Sequence, residues 1–474
     1  MGTIIEQLAG FSAGTRFEDI PAAIVEESKR LVLDSIGCAL AAIDHPKGRI
    51  GIEYGSLVAG QGSATIIGAP QRASVLGAAI ANGELINALD MDAVVPPGHV
   101  TPYVLPGALA LAETANASGR ELIRAVAVSH EMSWRIGKAM DYLRDMKDGQ
   151  LDTPKVFGFA STVFGATAAI AMLQRQGADT LAHSLSIAGY ISPVQSMMAF
   201  FHHAPATTIK YTMAGAVVQS AVMAAHMGLL GHRGDMQLLD DAEHGYARFI
   251  GTSRWAPERI TTGLGEHWGF AAEQLYKRYP HCRVLHGPLD CLAEIVERHD
   301  IRPEEIDGID LLVEGFVEKP TWLTRDIRHV NDAQFSIAHG MAIGAHRLKP
   351  GRDWQDPGQV FSPSVLGLMQ KVRHRVHPDY LKELSAHASA RPSRVEVRAR
   401  GQTFVAERLY PKGSPSPDPA NLFSTGELVA KFHANAEGVL PRGRADAIVE
   451  AVMELDGGRA GAAALMALTA NSNA

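Results

Sequence analysis

Apolar residues recur at helical spacing through the first half of the chain. In "DIPAAIVEESKRLVLDSIGCAL", Ile24, Ser28, Leu31, Val32, Ser35 and Ile36 fall on one face, behind Asp19 and a Pro21 suited to a first helical turn. "SGRELIRAVAVSHEM" opens with Ser118 and Glu121 in capping-box spacing. "STVFGATAAIAMLQRQG" and "DTLAHSLSIAGY" repeat the helical theme with many small residues, which let helices approach closely. From residue 1 to about 265 the pattern is almost wholly helical and predicts a compact bundle with several fully buried helices. Beyond "TTGLGEHWGF" the pattern changes: "EIDGIDLLVEGFVE" (305–318) and "SRVEVRARGQTFVAERLYP" (393–411) carry β-branched alternation and read as strands. Helix-like segments such as "NDAQFSIAHGMAIGA" lie between them, and helices return in "STGELVAKFHANAEGVL" and "RADAIVEAVMELD". The expected fold is therefore mainly α. A large all-helical domain (1–268) is interrupted by a smaller α+β domain (269–411), and the last helices (412–474) return to the first domain. No internal repeat of fixed period is visible, and "PKGSPSPDPANLF" (411–423) is the one Pro/Ser-rich linker.

Composition narrows the class. At 474 residues, two domains are the natural expectation, and 46% hydrophobic with 20% charged residues is the balance of a well-packed globular protein. The formal net charge is −7 and no dense Lys/Arg stripe is present, which argues against a nucleic-acid partner. Anionic substrates would have to meet a local cluster of cations inside an acidic shell. Cys38, Cys282 and Cys291 are odd in number and form no CxxC, which points to a reducing compartment without a disulfide framework. The opening "MGTIIEQLAGFSAG" does not read as a secretory signal, so cytoplasm is the expected location. The most apolar long window, "GAVVQSAVMAAHMGLLG" (215–231), is broken by Gln219, Ser220 and His226, and it reads as a buried helix rather than a membrane span.

Three stretches carry candidate chemistry. In "NALDMDAVVPPGHVTP" (87–102), Asp90 and Asp92 are followed by a Pro96-Pro97-Gly98 break and His99. A carboxylate beside an imidazole can act as a base or orient the ring, and the nearby helix start favours an anion. The competing reading makes Asp90 a helix-end cap and His99 a surface residue. In "TTIKYTMAGAVVQSAVMAA", Lys210 precedes a helix that is almost uncharged. Such a lysine can desolvate and serve as acid, base or carboxylate clamp, or can simply snorkel to solvent. "YKRYPHCRVLHGPLD" packs Lys277, Arg278, His281, Cys282, Arg283 and His286 together, a cationic patch suited to a di- or tricarboxylate. Its His and Cys spacing matches no usual zinc pattern, so no metal is expected. No GxGxxG after a strand, GxxxxGK[ST] or GxSxG occurs, and His202-His203 reads as a surface loop. Acid–base chemistry on a small anion is what remains.

On these blocks, in this order, the chain resembles the MmgE/PrpD family, which includes 2-methylcitrate dehydratase, cis-aconitate decarboxylase and iminodisuccinate epimerase. "FEDIPAAIVEESKRLVLDSIGCALA" resembles its opening helix. "LDMD…GHVTP…LPGALALAE" is similar to its LDFDDT…HP…lPalLAlaE segment. "STVFGATAAIAMLQ", "YKRYPHCRVLHGPLD", "NDAQFSIAHGMAIG" and "STGELVAKF" match later blocks. The resemblance implies a helical domain with an α+β lid, a homodimer, no metal or organic cofactor, and an active site between the domains that moves protons next to a carboxylate. By position it makes Asp90, His99, Lys210 and Lys277 the catalytic candidates. Asp92, Arg278, Cys282, Arg283 and His286 are the substrate-binding ones. The chain also departs from the family: DFDDT is Asp90-Met91-Asp92-Ala93-Val94, a second histidine would fall near Val156 beside Lys155, and the histidine three after the lysine is Met213. No counterpart of the lid tyrosine is found near Phe316 and Val317.

The expected activity is that of a cofactor-independent lyase, a hydro-lyase resembling 2-methylcitrate dehydratase, acting on a small di- or tricarboxylate. Lys210 or His99 would transfer the proton, Asp90 would orient His99, and Lys277 with Arg283 would clamp carboxylates. An iminodisuccinate epimerase-like enzyme working by two-base proton transfer is the alternative within the family. A non-catalytic carboxylate-binding relative is the alternative outside enzymology. Apart from a small polycarboxylate and a second copy of itself, no membrane or nucleic-acid partner is expected.

Overall fold

The computed structural model describes residues 2–58, 60–140, 146–151, 158–194, 197–458 and 461–471. The chain is mainly α, with one four-stranded sheet and three two-residue hairpins among the described residues. Helix Ala22–Ala41 buries the face predicted for it, and from Leu31 onward all its sides are buried, because helices pack around it. Pro21 stands at the N-cap of this helix rather than in its first turn, and Asp19 closes the preceding turn Phe17–Asp19. Helix Gly119–Ala139 starts as its capping box requires: Ser118 Oγ accepts from Glu121 N at 3.2 Å, and Glu121 Oε2 accepts from Ser118 N at 2.8 Å. It packs closely on helix Thr162–Leu173, where a Cβ on Gly165 would meet the Ser129 carbonyl oxygen at 2.3 Å. The small-residue pattern thus sets helix spacing.

One expectation for the helical part changes. Helix Ala214–Leu229, expected to be buried, is one-sided: Val217, Val218, Ala221, Val222 and Ala225 face inward, while Gln219, Met223, His226 and Met227 are exposed. The hairpins pair Ala64–Thr65 with Arg72–Ala73, Val94–Val95 with Gly98–His99, and Met146–Lys147 with Gln150–Leu151. Strands of two residues leave no alternation to read in sequence.

The larger sheet is built from strands Gln402–Arg408, Ser393–Ala399, Ile306–Val313 and Val372–Val376, in that order. The first three are antiparallel neighbours and the last pair is parallel. Alternate residues Ser393, Val395, Val397 and Ala399 point into the core beneath helix His286–Arg298, whereas Arg394 and Arg398 pair across the open face with Glu396, Glu407 and Asp310. The edge strand "VRHRV" escapes a hydrophobic reading, since only Val372 of its five residues is buried. Helix Thr425–Ala436 returns to lie along Ala22–Ala41. There Lys431 bonds Asp34 at 2.6 Å and the Met91 carbonyl at 2.8 Å, so the end of the chain braces the loop that carries Asp90 and Asp92. Among the described residues no helix is long and apolar enough to cross a membrane.

Candidate active site

The segment after helix Val75–Ala88 turns sharply because Asp90 takes φ 55°, a left-handed conformation that Asp tolerates better than most residues. That turn drives the Asp90 carboxylate into the interior, where it is fully buried. Three donors from two distant segments converge on it. Lys277 Nζ lies 2.6 Å from Oδ2 and also bonds the Asp90 carbonyl at 2.7 Å, while Tyr211 Oη donates to Oδ1 at 2.9 Å. Lys210, itself at φ 60°, places Nζ 3.3 Å from Oδ1 and 2.5 Å from the Asn87 carbonyl. Burial opposes ionisation of Asp90, but Lys277, Lys210 and His99 outweigh it and hold the carboxyl well below the usual carboxylate range. Burial acts on Lys210 in the opposite sense and, with Lys47 and Lys277 nearby, lowers its pKa to about 8 despite Asp90.

His99 is oriented by Asp92 and not, as the sequence suggested, by Asp90. Its Nδ1 lies 2.7 Å from Asp92 Oδ2, whereas Nε2 is 3.8 Å from Asp90 Oδ1. An ionised Asp92 can only accept, so Nδ1 carries the proton and the Nε2 lone pair is left free. Burial opposes the ionisation of Asp92 too, yet His99 and Lys277 keep its pKa lowered. Asn87 Nδ2 donates to the other Asp92 oxygen at 3.3 Å and fixes which oxygen faces the imidazole. The ring stacks on Tyr211 at 4.8 Å and 22°. It is held from the loop side by Gly98, where a Cβ would overlap the Phe159 ring at 1.7 Å.

His99, Tyr211, Lys277, Cys282, Arg283 and Arg391 line one cavity. Asp90, Asp92 and Lys210 stand behind that wall and reach it through the groups they bond. The "YKRYPHCRVLHGPLD" patch is therefore divided by the fold. Lys277, Cys282 and Arg283 face the cavity, but Arg278 is exposed beside Asp290 at 3.6 Å and over the Tyr279 ring. His286 caps its ring against the His281 carbonyl at 3.0 Å at the start of helix His286–Arg298, outside the cavity. Burial pushes the pKa of His281 down to about 4 and that of His286 well below the ordinary value. Both rings are thus neutral, and the expected cationic cluster shrinks to Lys277 and Arg283. Burial pushes the Cys282 thiol up, so it is a neutral lining group rather than a thiolate.

Sequence reasoning missed Tyr211 and Arg391. Tyr211 had the plain signal of adjacency to Lys210. Arg391 is buried and ion-paired with Glu314, and only the fold brings it from before strand Ser393–Ala399 to the cavity. Phe316 lines the cavity where the family has its tyrosine region and Val317 is buried beside it, whereas Met213 is exposed and outside. Lys155 and Val156 lie outside the described residues. Among those residues, no cluster of three or more His, Cys, Asp or Glu side chains could hold a metal ion.

Comparison with known proteins places this arrangement. The MmgE/PrpD N-terminal domain matches residues 6–258 and the MmgE/PrpD C-terminal domain matches residues 279–456, so the chain belongs to the MmgE/PrpD family of enzymes. Curated relatives extend over 96% of the chain: the cis-aconitate decarboxylases of Mus musculus and Homo sapiens, each 23% identical and covered over 91% and 92% of their own lengths. The cis-aconitate decarboxylase of Aspergillus terreus (strain NIH 2624 / FGSC A1156) is 24% identical, with 93% of its length covered.

Proposed function

We propose that the protein is a cofactor-independent carboxylate lyase in which His99 moves the proton. The observation that carries this reading is the Asp92–His99 pair at 2.7 Å, which leaves a free Nε2 on the cavity wall within a cluster of cations. In the hydro-lyase sense, Nε2 takes a proton from the carbon next to a substrate carboxylate. Lys277 has two of its three N–H donors engaged by Asp90, and the third stabilises the enolate-like charge that develops. The α C–H and β C–O bonds break, a C=C bond forms, and the His99 imidazolium passes the proton it has taken to the departing hydroxide, which leaves as water. Tyr211 gives its O–H to Asp90 Oδ1, and burial and Asp90 raise its pKa well above the ordinary value, so it stays a protonated phenol that holds Asp90 in place. Lys210 is then a positioning residue: its charge holds Asp90 in place, and its Nζ is one layer removed from the cavity.

Decarboxylation is the second reading, favoured by the names of the relatives. The same groups would serve it, with a C–C bond breaking to release CO2 and the imidazolium of His99 protonating the carbanion. A two-base epimerase needs a second base facing His99, and the described cavity wall offers none. A non-catalytic relative would have little use for a dehydrated carboxylate with three donors. Proton NMR in deuterated water separates these readings, using 2-methylcitrate, cis-aconitate and related acids. New alkene signals without CO2 support the hydro-lyase, and CO2 with deuterium at the product carbon supports the decarboxylase. Deuterium exchange without either product would refute the lyase.

A further inference from the structure

We infer that Lys47, a residue outside the cavity, is a positioning residue of the acid–base pair: it fixes the Asn87 amide and, through it, the Asp92 carboxylate that orients His99. The inference rests on the reading of His99 as the proton-transfer group. Lys47 is the second residue of helix Pro46–Val58 and is buried. A glycine stripe brings it to the site. A Cβ on Gly51 would meet Glu84 Cβ at 2.5 Å, and one on Gly55 would meet the Gly77 carbonyl oxygen at 2.4 Å. Helix Pro46–Val58 therefore lies directly against helix Val75–Ala88, close enough for the lysine chain to reach Asn87 near the end of that neighbour.

The charge of Lys47 is met by Glu84 Oε2 at 3.3 Å, while the other Glu84 oxygen accepts from Gly215 N at 2.9 Å. Lys47 Nζ also donates to Asn87 Oδ1 at 3.1 Å. An ammonium has donors only, and an ionised carboxylate has acceptors only. Asn87 stands between one of each, so its oxygen must face Lys47 and its NH₂ must face Asp92 Oδ1, 3.3 Å away. No other orientation of the amide satisfies both neighbours. With Asp92 Oδ1 so engaged, Oδ2 is left for His99 Nδ1 at 2.7 Å. The Asn87 carbonyl oxygen accepts from Lys210 Nζ at 2.5 Å, so lysines hold both the side chain and the backbone of this residue. Lys47, Asn87, Asp92 and His99 are all buried. A joint that loses its partner there cannot replace it freely with water, so slack at Lys47 passes on to the imidazole. Lys47 does not line the cavity, and its loss should therefore alter turnover rather than substrate binding.

The test is the rate at which His99 Nδ1–H exchanges with water, read by NMR on the full-length protein with nitrogen-labelled histidine rings and no substrate. The resonance is identified by its absence in His99→Gln. Lys47→Met is expected to speed that exchange about tenfold or more, the scale of losing a hydrogen bond to a charged group. Asn87→Leu should do the same, and Lys47→Met should then add less than about twofold, because the lysine acts through that amide. General loosening of a poorly folded variant would add in full instead. Lys47→Arg keeps the donors and should recover most of the protection. On whichever of 2-methylcitrate and cis-aconitate is turned over, Lys47→Met should lower kcat about tenfold and leave KM within about threefold. Unchanged exchange in Lys47→Met, an undiminished effect in the Asn87→Leu background, or a kcat within about twofold of the parent protein overturns the inference. Faster, non-additive exchange in these variants with no proton exchange from any acid would instead sink the lyase reading and leave this one standing.

Discussion

Replacing Asp92 by Asn changes one atom and should disable the base. In the native site Asp92 Oδ2 accepts from His99 Nδ1 at 2.7 Å, and Asn87 Nδ2 donates to Oδ1 at 3.3 Å. Asn87 continues to demand an acceptor, so the new amide must turn its oxygen toward Asn87 and its NH₂ toward His99. An NH₂ facing Nδ1 makes that nitrogen the acceptor and moves the ring proton to Nε2, the atom that has to receive the substrate proton. The imidazolium formed in the reaction also loses a charge-assisted hydrogen bond, worth about 1.5–3 kcal/mol. Wrong tautomer and lost bond together predict a fall in kcat of about 10²–10⁴-fold, or roughly 3–5.5 kcal/mol on the barrier. KM should change little, because Asp92 is absent from the cavity wall. The assay is initial-rate kinetics on the best substrate found by NMR, with substrate α-deuterium exchange measured alongside. A kcat within about threefold of the parent protein, with exchange intact, would refute His99 as the base.

Other outcomes follow from the same geometry. Asp90→Asn leaves Lys277 and Lys210 buried without their shared anion and should lower the unfolding free energy by about 3–5 kcal/mol; urea denaturation at pH 7 checks it, and a loss below about 1 kcal/mol would contradict the network. Lys210 has a pKa near 8, so kcat/KM should decline above that pH as Asp90 loses a partner, and Lys210→Arg should move the alkaline limb upward; an unmoved limb would assign it to another group. Burial holds His130, His281 and His339 near pKa 4, against about 6.5 in the unfolded chain. Between those values the unfolded state binds more protons, so stability must fall as pH falls, by up to about 1.4 kcal/mol per pH unit for each ring. Denaturation midpoints that stay flat from pH 6.5 to 5 would show these rings are not buried neutral.

How much of this was legible depends on how local each signal is. The helices announced themselves because caps and period lie within a few residues, as with Ser118 and Glu121. The strands 306–313 and 393–408 did so through β-branched alternation, whereas Val372–Val376 hid behind Arg and His on an open edge. Asp90, His99 and Lys210 could be nominated because each is a polar residue in an unusually apolar setting, and Lys277 because it opens a cationic patch, but their roles could not be assigned from the chain. Asp90 and Asp92 lie two residues apart, and only the left-handed turn at Asp90 decides which one meets the lysines and which the imidazole.

The same limit explains Arg278 and His286. Sequence proximity made them members of one cationic patch, yet the helix that begins at His286 buries one ring in a neutral state, and the turn before it sends Arg278 outward to Asp290. Arg391 shows the converse, since a residue more than a hundred positions from Lys277 arrives at the cavity because strand Ser393–Ala399 lies beneath helix His286–Arg298. Charge that a short window makes look additive is thus divided by the fold: Lys277 stays bound to Asp90 and Arg391 to Glu314. What faces the cavity is set by those pairings and by the aromatic residues Phe159, Phe201, Phe316 and Trp322, which come from segments far apart in the chain. Substrate class is therefore a tertiary property, one that motif order could bound but not name.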